Sequence, residues 1–213
     1  MNPVFVTYYT PPYSVHAGPW EQSLRDQGHL TWHIQKIGDR GSWRLNCGYK
    51  HIFIKQMLET FKRPVVWLDV DARVLARPTL FADLIEKGYD FAAYFIPRKL
   101  MQPGDVPLGN HTSNDGIAAG TMLFNDTPAS HALLAHWHAR DIGQHYAEQF
   151  VLGEAWHLHN EDIELKTSRL PQSYCHIVNH KWRQGEEGPT VIEHLQASRQ
   201  LKRKAGRRAH SQR

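Results

Sequence analysis

The chain is poor in sulfur: two cysteines, Cys47 and Cys175, in 213 residues. They belong to no Cys-x-x-Cys pair, and one distant couple cannot form the disulfide framework that staples small secreted domains, so both read as reduced thiols. No apolar run approaches the roughly 18 to 20 residues of a membrane span. The opening stretch from Met1 to Tyr9 has no basic residue and no small-residue cleavage site. A secretory signal peptide is therefore not expected, and the cytoplasm is the expected compartment. Also missing are the glycine-rich loops that cradle dinucleotides and nucleoside triphosphates, a His-Glu-x-x-His pair, and any Cys/His cluster with zinc spacing. These absences argue against a dehydrogenase, a P-loop nucleotide triphosphatase and a structural zinc protein.

What is present is the composition of an ordinary globule, 41% hydrophobic and 22% charged, at a length that suits one well-buried domain. The formal charge of +4 is unevenly placed. Residues 199 to 213 hold seven Lys and Arg and no acid, so the tail carries +7 and the remainder is −3. We divide the chain into a folded part, residues 1–198, and a basic tail, residues 199–213. Two readings of the tail stay open: a solvated extension, or an electrostatic tether to anionic membrane, nucleic acid or an acidic partner, the first of which would place the protein peripherally on the inner membrane face.

Strand and helix patterns alternate along the folded part. Strands are expected at 3–9, 29–37, 65–68, 90–96 and 117–125, with one or two more within 163–178 around Pro171. Helices are expected at 19–27, 43–62, 79–87, 128–141 and 146–157. The segment 97–114, rich in Pro, Gly, Asn and Asp, has no packing pattern and is expected to be a loop, a candidate lid. This alternation predicts an α/β fold, a three-layer α/β/α sandwich around a mostly parallel sheet.

One strand carries chemistry. Val65-Val66-Trp67-Leu68 is apolar at every position, as in strands covered on both faces, and it ends in Asp69-Val70-Asp71. Open α/β sheets bind ligands at the C-terminal ends of their strands. Two carboxylates there offer the hard oxygen ligands that Mg²⁺ or Mn²⁺ prefers. Asp71 is the expected direct metal ligand, and Asp69 is expected on the metal or on a ribose. The plain alternative is an Asp that caps the turn after the strand.

With its neighbours, this motif resembles the nucleotide-diphospho-sugar transferases, glycosyltransferases of the GT-A fold. Four segments carry the resemblance in order: the first strand Val4 to Thr10; Asn46-Cys47-Gly48-Tyr49-Lys50 leading into Val65 to Asp71; Gly116 to Asn125; and Glu148-Gln149, with His194 downstream. The resemblance spans residues 3 to 198. It implies a metal-dependent hexosyltransferase that moves a sugar from a nucleoside-diphosphate donor, a UDP-hexose, to an acceptor hydroxyl. It further implies that Thr7 and Tyr8 touch the nucleotide, Lys50 a phosphate or the acceptor, and Gly120 the sugar and acceptor site. His194 would be a third metal ligand, and an imidazole ligand favours Mn²⁺ over Mg²⁺. Glu148 and Gln149 would hold sugar or acceptor near the anomeric carbon. In an inverting reaction Glu148 or Asp115 would act as base on the acceptor, while in a retaining one a diphosphate oxygen would take that proton.

Two alternatives are weighed. Phosphohydrolases of the haloacid dehalogenase type also place Asp-x-Asp at a strand end, but on the first strand and with Thr or Val where this chain has Arg73. A nucleic-acid-binding module would use the basic tail, yet the folded part is net acidic and has no zinc-finger or RNA-recognition signature.

Overall fold

The computed structural model describes residues 2–97, 116–141, 148–162, 164–178 and 188–199. The candidate lid from residue 98 on, Asp115, and the basic tail from residue 200 on lie outside the described residues. Strand β1 (Val4–Tyr9) begins the chain, followed by α1 (Ser14–Arg25) and β2 (Thr31–Lys36). Next come α2 (Trp43–Gly48), α3 (Lys50–Phe61) and β3 (Val65–Leu68). Beyond the Asp-x-Asp turn lie β4 (Ala72–Val74), α4 (Leu80–Glu86), β5 (Phe91–Ile96) and β6 (Gly116–Phe124). Helices α5 (Pro128–Asp141) and α6 (Glu148–Asp162) precede three short strands, β7 (Thr167–Arg169), β8 (His176–Ile177) and β9 (Ile192–His194).

Six strands form the central sheet in the order β2-β1-β3-β6-β5-β7, with β6 antiparallel to both of its neighbours and the other pairings parallel. The mostly parallel sandwich expected from the sequence is therefore the fold. Period-two alternation sorts side chains to the two faces. Val4, Val6 and Tyr8 of β1 join Val65 and Trp67 of β3 in one cluster, filled from outside by Phe53, Ile54 and Leu58 of α3, Leu133 and Trp137 of α5, and Val151 and Leu152 of α6. Phe5, Val66 and Leu68 point the other way and pack on Trp20 and Leu24 of α1 and Phe81 and Leu84 of α4. Fully burying each such Phe or Leu side chain contributes roughly 1.5 to 3 kcal/mol. No helix among the described residues is long and apolar enough to cross a membrane.

Several boundaries differ from expectation. The single helix foreseen at 43–62 is two, because α2 ends at Gly48 and α3 restarts after Tyr49. Ser42 caps α2, its hydroxyl accepting a hydrogen bond from Leu45 N at 3.2 Å. Helix α1 begins at Ser14 rather than 19, growing out of a 3-10 turn that contains Pro11 and Pro12, and it tolerates Pro19 inside. Strands β4, β8 and β9 make a second, three-stranded sheet in the order β4-β9-β8. At two or three residues each, these strands are too short for an alternation pattern to reveal.

Strand β6 carries the irregularity that shapes the site. Ala93 of β5 pairs with Met122, but the next residue, Tyr94, pairs with Ala118, so the residues between bulge out of the β5 ladder. The freed backbone turns toward β3 and α3. Asp69 N donates to Gly120 O at 2.9 Å, and Lys50 Nζ donates to Ala119 O at 2.9 Å. Bulges beside functional sites commonly re-aim the chain in this way.

Candidate active site

The chain leaves β3 through a turn closed by Ala72 N donating to Asp69 O at 2.8 Å. Strand β4 then pairs with β9 so that Ala72 stands opposite His194. This register carries His194, far off in sequence, to the Asp-x-Asp turn. One ligand atom from each of Asp69, Asp71 and His194 lies within 4.8 Å of the others, a group able to hold a metal ion. The second sheet, invisible to pattern reading, is what assembles the third member.

Each of the three is held by named partners. Asp69 Oδ1 accepts from Lys50 Nζ at 3.0 Å and from Trp67 Nε1 at 2.9 Å, which leaves Oδ2 for a cation or a hydroxyl. Asp71 Oδ2 accepts from Ala197 N at 2.7 Å, and its backbone carbonyl accepts from Leu195 N at 3.2 Å. His194 is buried, with Nε2 at 2.8 Å from Thr121 Oγ1. Burial lowers its pKa, against the pull of Asp69 and Asp71, and so favours the neutral ring that a metal needs. The tautomer that donates Nε2–H to Thr121 leaves the Nδ1 lone pair for a cation. Two carboxylates with one imidazole match a hard divalent ion such as Mn²⁺, so the residues present fit the group.

Gly120 earns its place by space. A Cβ there would meet His194 Cε1 at 2.8 Å, closer than real Cβ contacts come, and Nδ1 at a tight 3.1 Å. Gly120→Ala should therefore displace the imidazole and weaken Mn²⁺ binding about tenfold while the chain stays folded, measured by calorimetry and circular dichroism. Unaltered Mn²⁺ affinity in this variant would mean that His194 is not a ligand.

Lys50 lies beneath the cleft. It is buried, and its ammonium donates to Asp69, to Ala119 O and, at 3.4 Å, to Glu148 Oε1. Those contacts use all three of its protons. Burial alone would push its pKa down, but the carboxylates of Asp69 and Glu148 reverse this and hold it above the usual lysine value. Lys50 is thus an internal counterion that joins α3, β3, β6 and α6, and it also lines the cavity bounded by Tyr8, Trp67 and Asp69. Its ammonium also lies 5.0 Å above the Trp67 ring.

Thr7 does not reach the cleft. It is fully buried with its hydroxyl on Tyr8 O, and it lines neither cavity of the cleft. An inward-facing position on a central strand explains this. Tyr8 does line the cleft, with its hydroxyl donating to Asn46 O at 2.5 Å. Burial, with Cys47, Glu148 and Asp69 nearby, holds the Tyr8 phenol above its ordinary value, and burial likewise pushes Tyr13 up to about 12.

The cleft has two adjoining cavities. One, of about 120 Å³, has an aromatic wall of Tyr8, Tyr9, Tyr13, Trp43 and Trp67. The other, of about 280 Å³, is lined by Gly120, Glu148, Gln149, His194, Ile96 and Ile177 among others. Asp69, Asp71, Glu148, Trp43 and Ser198 border both. Glu148 sits at the start of α6 and is nearly buried, whereas Gln149 is exposed. Sequence reasoning missed Trp43, whose signal was its place directly after the Ser42 cap. It also missed Thr121, and Cys175, a cleft residue whose thiol burial pushes up to about 12.

No protein-family model matches the chain, and no curated protein matches it. Solved structures do. A glycosyltransferase involved in glycosylation of the major capsid of PBCV-1 aligns with a TM-score of 0.63 at 12% identity, over 92% of this chain and 93% of that one. The galactosyltransferase LgtC, in complex with donor and acceptor sugar analogues, gives 0.59 at 12% identity over 92% and 87%. Mouse xyloside xylosyltransferase 1 gives 0.57 at 11% identity over 92% and 98%. These likenesses lend no support to the haloacid dehalogenase alternative. The sheet order, the strand-end carboxylates and these neighbours together show that the chain has the GT-A fold of nucleotide-sugar glycosyltransferases.

Proposed function

We propose that the protein transfers a hexosyl group from a UDP-sugar to an acceptor hydroxyl with the help of Mn²⁺. The observation that carries this reading is the convergence of Asp69, Asp71 and His194 where the two cavities meet. The aromatic cavity takes the nucleoside, between the end of β1 and α2. The second cavity takes the sugar and the acceptor. Asp71, Asp69 and His194 would hold the ion, with a ribose hydroxyl as the alternative partner of Asp69 Oδ2. A divalent cation bound there supplies Lewis-acid stabilisation of the diphosphate that departs when the anomeric C–O bond breaks.

The chain's own residues do the rest. Glu148, fixed by Lys50 at the mouth of both cavities, orients sugar or acceptor hydroxyls and is the described candidate for a base in an inverting reaction. Asp115 stays a second candidate for that role. Gln149, exposed in the sugar cavity, donates and accepts hydrogen bonds with sugar hydroxyls. Lys50 places Asp69 and Glu148 at a fixed separation.

A thermal-shift panel of nucleoside diphosphates and UDP-hexoses, each with and without Mn²⁺, tests the proposal. The expected result is a rise in Tm for uridine compounds that requires Mn²⁺, of the size ligand linkage gives at saturating concentration. Equal shifts without metal, or none with any nucleotide, would overturn it.

A further inference from the structure

Arg73 stands two residues beyond Asp71 on β4 and has no role in the reaction described above. It is half-buried, and its Nη1 donates to the carbonyls of Ala72 at 2.6 Å and Val70 at 3.3 Å. Its Nη2 lies 3.5 Å from His16 Nδ1 of α1, and across the β4–β9 ladder it is paired in register with Glu193. The carbonyls of the turn can be accounted for one by one. Asp69 O accepts from Ala72 N, Asp71 O accepts from Leu195 N, and Val70 O and Ala72 O accept from Arg73. Arg73 is thus the side chain that holds the peptide unit before Asp71 and the one after Ala72, while Leu195 holds the unit between.

The geometry points to Arg73 as a positioning residue for the cation site: its guanidinium locks the Asp69–Ala72 turn so that the Asp71 carboxylate faces Asp69 and His194. The inference rests on the reading of those three residues as metal ligands. Two effects compete. A positive charge behind Asp71 opposes a cation, while the fixed peptide planes aim the ligand at it. Glu193, on the neighbouring strand, offsets the charge, whereas no other described side chain takes over both carbonyls. Aim therefore dominates. Partners that orient a metal ligand in this way typically change metal affinity by about 10- to 100-fold when removed.

The test is Mn²⁺ titration of the full chain, following the free ion by electron paramagnetic resonance, for wild type, Arg73→Met and Arg73→Lys. Melting without metal is followed in parallel. Arg73→Met should bind Mn²⁺ about tenfold more weakly, and Lys, which keeps charge and donors, should recover part of the loss. A role confined to stability would lower the melting temperature and leave Mn²⁺ affinity in place, which would overturn the inference. So would tighter binding by Arg73→Met, the sign that charge outweighs aim. If Arg73→Met fails to melt cooperatively, Arg73→Gln carries the comparison, since it keeps an amide donor and drops the charge. Weaker binding than the Lys variant supports positioning, and binding as tight as wild type or tighter overturns it. Wild type without Mn²⁺ binding would remove the metal reading itself, a result distinct from equal binding by wild type and variant.

Discussion

Asp71→Ala should abolish Mn²⁺-dependent binding of UDP, a loss of more than about 100-fold, since direct ligands matter more than the orienting partners whose loss costs 10- to 100-fold. The alanine removes a carboxylate oxygen from the group of three and also the acceptor for Ala197 N. Asp71→Asn separates the two effects. Its amide oxygen can still receive Ala197 N, but it is a neutral and weaker cation ligand, so the Asn chain should melt close to wild type and still fail to bind UDP with Mn²⁺. Calorimetry with UDP, with and without Mn²⁺, reads both variants. If UDP binds Asp71→Ala with unaltered affinity, the strand-end carboxylates are not the metal site.

Lys50→Met should be the most damaging single change to stability among the site residues. It leaves Glu148, nearly buried, and Asp69, 37% exposed, as like charges around an apolar thioether. Removing one partner of a buried pair costs about 3 to 5 kcal/mol, and the partial exposure of Asp69 puts this case near 3. For a chain of this size each kcal/mol moves Tm by roughly 2–4 °C, so a drop of about 10 °C is expected at neutral pH. The sign of the pH dependence follows from Lys50 itself: its pKa is raised in the folded chain, so its contribution is full below the ordinary lysine value and is lost as pH rises through the raised one. The gap between wild type and Lys50→Met should therefore hold through neutral pH and narrow only in strong alkali. A melt within about 2 °C of wild type at neutral pH would show that the ammonium is not the counterion it looks to be.

The layer architecture was legible because long apolar strands and amphipathic helices leave strong periodic signals. Val65 to Leu68, buried at every position, was readable as a central strand, and Asp69 and Asp71 at its end were readable as a candidate site. What the sequence hid was pairing over distance. The short β4 and β9 have no alternation to detect, yet their register is what brings His194 to Asp71. The burial of Lys50 was not readable, because a lysine near a carboxylate motif suggests solvent and phosphate. Only the tertiary packing of α3 on the bulged β6 reveals it as buried. Thr7 lies away from the cleft for a simpler reason: on a central strand, neighbouring residues face opposite layers, and only one of Thr7 and Tyr8 could look into the cleft.

The tie between Asp71 and Ala197 spans 126 positions of the chain. Closing a flexible loop of that length costs on the order of 4 kcal/mol of chain entropy, by the three-halves-power law. The central sheet can therefore take shape while the Asp69–Ala72 turn still lacks His194 and Ala197. During synthesis Asp69 and Asp71 stand without His194 until β9 has left the ribosome, so the proposed cation site is completed late in folding.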